Sequence, residues 1–231
     1  MEFSINKNII DINEIKKSLE FINNKKRPEK EKADLNNFII SKIKENPNIL
    51  TEKIKYLFTN ILFADYLIEK GNEDIVKTII DTKPYLLNRS YCDFANNLYE
   101  GNTASPFSEY QKYITAHIIA MKNKNFIPYM LEKNKDVVEN RDFLRYVIEF
   151  GSDDVRKYLI DNFLDLICKR DNLLEETFAH QIVKYANSDE IITHLENTVK
   201  DRHPEIIEEK DRYFRPLEGY IKNFLRNKIK Y

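Results

Sequence analysis

A stretch of twenty residues in this chain recurs in altered form. Leu62–Asp81 aligns without a gap on Asp142–Asp161, and nine of the 20 positions are identical. They are Phe63/Phe143, Tyr66/Tyr146, Ile68/Ile148, Glu69/Glu149, Gly71/Gly151, Asp74/Asp154, Lys77/Lys157, Ile80/Ile160 and Asp81/Asp161. Chance at this composition gives about one or two identities. A unit of this size cannot hide its apolar face alone, so copies must stack on one another.

Each unit reads as two helices around a turn. The first ends at Gly71 or Gly151, where a left-handed residue is expected. The second opens on a polar cap with acids behind it: Asn72-Glu73-Asp74 and Ser152-Asp153-Asp154. Weaker copies cover His117–Leu131 and Ile182–Leu195, with turns at Lys122 and Asn187. The four turns are 51, 29 and 36 residues apart. The long first interval places an insertion near residues 83–110.

The remaining chain is also helical in pattern. Ile9, Ile12, Ile15, Leu19 and Ile22 share one helix face. A charged connector, Lys25–Lys32, separates them from a helix over about Asp34–Glu45, which Pro47 stops. No sustained period-two run signals a strand. Only 4 glycines are present, too few for Gly-rich phosphate loops or hairpin-rich β folds.

Gly71-Asn72-Glu73-Asp74-Ile75-Val76-Lys77-Thr78-Ile79-Ile80, followed by Leu87-Asn88, resembles the second half of an ankyrin repeat. Gly151–Ile160 resembles the same half. No Thr-Pro-Leu-His tetrapeptide opens a first helix, and Leu67-Ile68 and Val147-Ile148 stand where the family has small residues. The resemblance covers roughly residues 55–200 and implies a protein-binding array. The expected fold is all-α, an α-solenoid of stacked antiparallel helix pairs forming a degenerate ankyrin-like array. Residues 1–50 form an N-terminal helical cap, 51–200 the repeats, and 201–231 a C-terminal cap.

Three places could carry function. The aperiodic stretch after residue 87 offers Asn88, Arg89, Tyr91, Asp93, Phe94 and Tyr99 to a protein partner from an extended loop. The plainer reading is a solvated connector with one short helix. The C-terminal segment carries Arg212, Arg215, Lys222, Arg226, Lys228 and Lys230 among aromatics, residue types that contact phosphates and stack on bases. Its apolar stripe of Leu217, Tyr220, Ile221, Phe224 and Leu225 fits a capping helix better. Cys92 and Asp93, with His117 or His180, assemble only on paper into a cysteine nucleophile and base. His117 and His180 lie on apolar stripes and read as core residues, and His194 and His203 complete no zinc spacing.

Charge decides little: 37 basic and 38 acidic residues leave a formal charge of -1, so no global field selects nucleic acid or a membrane. Two cysteines, no signal-peptide pattern and no long apolar run point to a cytoplasmic protein. The Ile, Asn and Lys excess fits an AT-rich genome, and with the repeat array suggests an effector delivered into a host cell. The leading expectation is a protein–protein interaction scaffold without cofactor or metal. Nucleic-acid or anionic-surface binding through the C-terminal helix is second, and a Cys/His enzyme third.

Overall fold

The computed structural model describes residues 2–24, 27–56, 59–89, 114–171 and 173–228. Eleven α-helices dominate these residues. α1 (Glu2–Ile22) and α2 (Glu29–Glu45) form a hairpin, the pair α3 (Phe63–Lys70) with α4 (Glu73–Thr82) follows, and α5 (Thr115–Lys122) and α6 (Phe126–Lys133) come next in the chain. After them come α7 (Arg141–Phe150), α8 (Asp153–Ile167), α9 (Phe178–Tyr185), α10 (Asp189–Arg202) and α11 (Leu217–Lys228). The chain divides into two compact units, residues 1–119 with 132–135, and residues 120–131 with 136–231. In the first, α2 packs on α1 and α4; in the second, α7, α9 and α11 pack in one row while α8 packs on α10.

Two expectations about the chain are corrected. The charged run Lys25–Lys32 is only partly a connector: Pro28 caps α2, whose first turn takes in Glu29 and Glu31, where acids suit the helix dipole. Strands do occur, as two short antiparallel ribbons, β1 (Lys53–Tyr56) with β2 (Thr59–Leu62) and β3 (Arg170–Asp171) with β4 (Glu176–Thr177). Four and two residues are too short for alternation to show in a sequence.

The structural repeat is longer than the helix pair. After second helices the chain enters a 3-10 turn, at Pro47–Thr51, Pro84–Asn88, Lys135–Glu139 and Pro204–Glu208. The residues ahead of three of them share one backbone shape: Asn46 (φ -138, ψ 74), Lys83 (φ -142, ψ 69) and His203 (φ -142, ψ 58). Phe163 repeats it inside α8 (φ -135, ψ 31), so the end of α8 is a fifth copy hidden behind a kink. Proline suits the first position because its missing N–H has no partner there in any case. Two apolar residues follow inward: Ile49 and Leu50, Leu86 and Leu87, Val137 and Val138 are all buried.

From each of four such turns the chain leaves and returns through a connector closed by one backbone hydrogen bond. Phe63 N donates to Glu52 O (2.9 Å), Thr115 N to Arg89 O (2.9 Å), Phe178 N to Lys169 O (3.3 Å) and Leu217 N to Glu209 O (3.2 Å). The insertion expected near 83–110 falls for the most part on residues 90–113, which lie outside the described residues. Successive 3-10 turns are joined by side-chain rungs within each unit. Lys83 Nζ donates to Asn48 Oδ1 (3.1 Å), Asn134 Nδ2 to Pro84 O (3.0 Å) and His203 Nε2 to Asp165 Oδ1 (2.8 Å). Second helices are joined likewise at the repeated aspartates, Asp81 to Lys133 (2.9 Å) and Asp161 to His194 (2.6 Å).

The glycines serve a different purpose from the one expected. Gly71 (φ -79, ψ 163) and Gly151 (φ -71, ψ 162) are extended, not left-handed. What they supply is room: a Cβ would sit 2.5 Å from Leu67 O at Gly71 and 2.4 Å from Val147 O at Gly151. The third turn caps at Ala186 (φ -63, ψ 143) rather than at Asn187, with ψ lower and a methyl accommodated. Gly71→Ala and Gly151→Ala are therefore each expected to lower stability by about 1–3 kcal/mol, through forced backbone shifts. Urea unfolding of the variants measures this, with Ala186→Gly as the control costing under about 1 kcal/mol. Asn72 and Ser152 cap α4 and α8 as expected, accepting from Ile75 N (3.1 Å) and Val155 N (3.4 Å).

Candidate functional site

A polar side chain stands two residues after the leading phenylalanine of three first helices: Asp65 in α3 and His180 in α9, both buried, and the half-buried Arg145 in α7. Alignment on Phe63, Phe143 and Phe178 puts them in register. Asp65 is 3% exposed and pairs with Arg89, just past the 3-10 turn of its own repeat. Arg145 does the same with opposite charge, holding Asp171 through Nε (2.5 Å) and Nη2 (3.1 Å). In each case the helix grips the connector that leaves its repeat.

Asp171 is fully buried, and its carboxylate also accepts from Gln181 Nε2 (3.2 Å) and Leu173 N (3.0 Å). These donors hold its pKa below the ordinary range although burial opposes them. At His180 the connector is 210–216, closed by a bridge between Lys210 and Pro216. Asp211, 3% exposed, organises it by accepting from Tyr213 N (2.8 Å), Arg215 N (2.9 Å), Arg215 Nη2 (2.8 Å) and Tyr220 Oη (2.6 Å). Those bonds hold its carboxyl far below the ordinary carboxylate range. Tyr220 shares that carboxylate and is raised above its ordinary value, first by burial and then by Asp211. His180 sits inside this network, with Thr177 Oγ1 at 2.7 Å from Nδ1 and the Tyr220 ring edge-on at 5.2 Å. Burial drives its pKa from 6.5 down to about 4.

This cluster has the composition of an active site and the bonding of a clasp. Its carboxylates are occupied by Arg and Tyr donors and backbone amides, and its imidazole is enclosed and neutral. What it produces is a rigid loop. Phe214 is held at φ 62, a costly conformation for a bulky residue, and stands 81% exposed beside Tyr213.

The residues singled out from the sequence divide into three groups. Tyr91, Asp93, Phe94, Tyr99, Cys92 and Lys230 lie outside the described residues. Asn88 ends a 3-10 turn and is exposed, while Arg89 is spent on Asp65. At the C-terminus, Arg215 is paired with Asp211 and Lys222 with Glu218 (2.7 Å); Arg212 stacks on Tyr213. Arg226 is exposed on α11 and Lys228 ends that helix. Leu217 and Ile221 are buried, and α11 packs on α9. Cys168 is buried, and its thiol is pushed up to about 11 by burial. His194 and His203 face Asp161 and Asp165.

Among the described residues no three His, Cys, Asp or Glu side chains converge as a metal site requires, and no helix is long and apolar enough to cross a membrane. The clasp residues Asp171, Asp211 and Tyr220 were not legible as a site, because their partners are set by connectors of unequal length. No family model, no curated protein and no solved structure matches the chain.

Proposed function

We propose that the chain is a non-enzymatic protein–protein interaction scaffold, a degenerate ankyrin-like α-solenoid whose helix pairs present a surface to a protein partner. The observation that carries this reading is the recurrence of one four-part unit: first helix, second helix, 3-10 turn and closed connector. Its copies are joined by rungs at equivalent positions (Lys83 to Asn48, Asn134 to Pro84, His203 to Asp165). Arrays held by neighbour contacts of this kind leave one helix layer and their connectors free to carry variable side chains. The polar clasps support it too, since they fix connectors rather than expose reactive groups.

The test is reconstitution from purified components. A partner recovered by cross-linking is expected to rebind the chain at fixed stoichiometry, with less than tenfold weakening between low and high salt. Binding to oligonucleotides that falls about 100-fold or more over the same salt range, with no protein partner reconstituted, overturns the reading in favour of phosphate contacts.

A further inference from the structure

Apolar side chains stand exposed at the ends of successive first helices in the second unit. Phe150, the last residue of α7, is 48% exposed, and Tyr185, the last of α9, is 39% exposed. Tyr146 stacks one turn below Phe150 with ring centroids 4.7 Å apart, and its hydroxyl donates to Ala120 O (3.3 Å), next to the half-exposed Met121. α7 packs on α9, which brings the ends of the two helices to one locality, and both the Tyr146 and Tyr185 phenols are raised above their ordinary value, first by burial and then by the Glu149 carboxylate.

The fold does not require these residues to be apolar. The residue equivalent to Phe150 in the first copy of the repeat is Lys70, before the same kind of glycine. The platform is also rigid. Buried Arg156 reaches back across the turn to Ile148 O (2.8 Å) and Glu149 O (3.1 Å), tying down the last carbonyls of α7. Asp153 then accepts from Asn187 N (3.2 Å), which fastens the α7–α8 turn to the α9–α10 turn.

The charge beside the rings is net negative. The two turn segments carry Glu149, Asp153, Asp154, Asp189 and Glu190 against Arg156, Lys157 and Lys184. Arg156 is consumed by Asp153 and the carbonyls, Lys184 is held by Glu176 (2.5 Å), and Lys157 pairs with Glu190 (3.6 Å), which leaves Glu149 and Asp154 to set the sign. A small hollow of about 50 Å³ lies at the same pair of turns, lined by Asp153, Asp154, Lys157, Ser188, Glu190 and Ile191. Aromatic faces beside carboxylates attract guanidinium and ammonium groups, and the rings also accept apolar neighbours.

We infer that Met121, Tyr146, Phe150 and Tyr185, with Glu149 and Asp154, form a docking surface for a basic segment of a protein partner. In such a segment Arg or Lys residues alternate with apolar ones. This rests on the scaffold reading and names where and what the scaffold binds. The rings carry the apolar contacts, and the carboxylates select the cations.

The test uses the full chain and a phage-displayed library of random dodecapeptides. Peptides enriched on the wild type, then synthesised and titrated, are expected to carry a net charge of about +2 or more. They are expected to bind the double variant Phe150→Lys with Tyr185→Lys at least about tenfold more weakly. That variant restores the residue the first repeat already uses, so it is expected to fold, which circular dichroism and urea unfolding check. Glu149→Lys alone is expected to weaken binding several-fold. Enriched peptides that are neutral or acidic, or that bind wild type and double variant within twofold, overturn this surface and leave the scaffold reading standing. Failure of any library member to bind overturns the surface. The scaffold reading itself falls only if reconstitution with a protein partner also fails.

Discussion

Asp171→Ala is expected to remove about 3–5 kcal/mol of stability, measured as the shift of the urea unfolding midpoint at constant slope. The size follows from what stays behind. Asp171 is fully buried, and its removal strands the Arg145 guanidinium, whose Nε now bonds Asp171 at 2.5 Å, along with Gln181 Nε2 and Leu173 N. A buried donor left without its acceptor costs its desolvation in full, and a buried charge costs more. Asp142 keeps one bond to Arg145, which tempers the loss but leaves Nε and Nη2 to find water. Against a total of about 5–15 kcal/mol for a domain, the variant loses a fifth or more of its stability. Glu209→Ala makes the contrast: it removes the pairing to Arg170, whose partners are 45% and 39% exposed, and is expected to cost under about 1 kcal/mol. Equal effects from the two variants would mean that burial does not distinguish these pairs.

The clasp explains which parts of the molecule a single sequence discloses. The helix pairs were legible because the same chemistry recurs at the same spacing: Ile75 and Val155 behind their caps, Asp81 and Asp161 at their ends. The 3-10 turns left a fainter trace, visible once the pattern is known. Pro47, Pro84 and Pro204 each precede two apolar residues at the second and third places after them. The connectors left almost none, since the bonds from Phe63, Thr115, Phe178 and Leu217 are backbone to backbone and indifferent to side chains. The clasp was hidden by its own variety. Asp65, Arg145 and His180 do one job with three chemistries, so an identity scan counts them as mismatches. Glycine misled in the opposite sense: Gly71 and Gly151 were legible as turn residues, but their reason is the carbonyl four residues back in the same helix, within 2.5 Å of any Cβ, rather than a positive φ. Exposure was equally out of reach. Tyr146 and Phe150 fall in the repeated stretch, and nothing in their spacing separates a ring that is buried from one that faces solvent.

The third member of the clasp makes stability depend on pH in a window of its own. His180 is fully buried, and its pKa in the folded chain lies at about 4 against an ordinary 6.5. Its surroundings explain why. Lys184 on its own helix opposes a second positive charge, while Asp211 and the carbonyls of Arg215 and Glu209 favour one; burial outweighs them. Tyr220 from α11 meets the ring edge-on and offers no carboxylate. With a lowered folded pKa, the unfolded chain binds the proton first. The contribution of His180 is therefore complete above pH 6.5, shrinks as pH falls through this window, and is gone below about 4. At about 1.4 kcal/mol per pH unit, the wild type is expected to lose about 2–3 kcal/mol between pH 7 and pH 4.5 through this group. Asp171 and Asp211 do not enter that window, because their lowered pKa values keep them charged throughout it; their loss begins lower, as pH falls below the ordinary carboxylate value of 3.8. His180→Gln is expected to be less stable at pH 7 but to lose about 2–3 kcal/mol less than the wild type down to pH 4.5, and it is the difference in slope that isolates the residue. Contributions from the rest of the chain are common to both proteins and cancel in the difference. Urea midpoints at half-unit steps decide the matter: parallel curves for wild type and variant would show that His180 takes up its proton in the folded chain, and that the clasp opens to receive it.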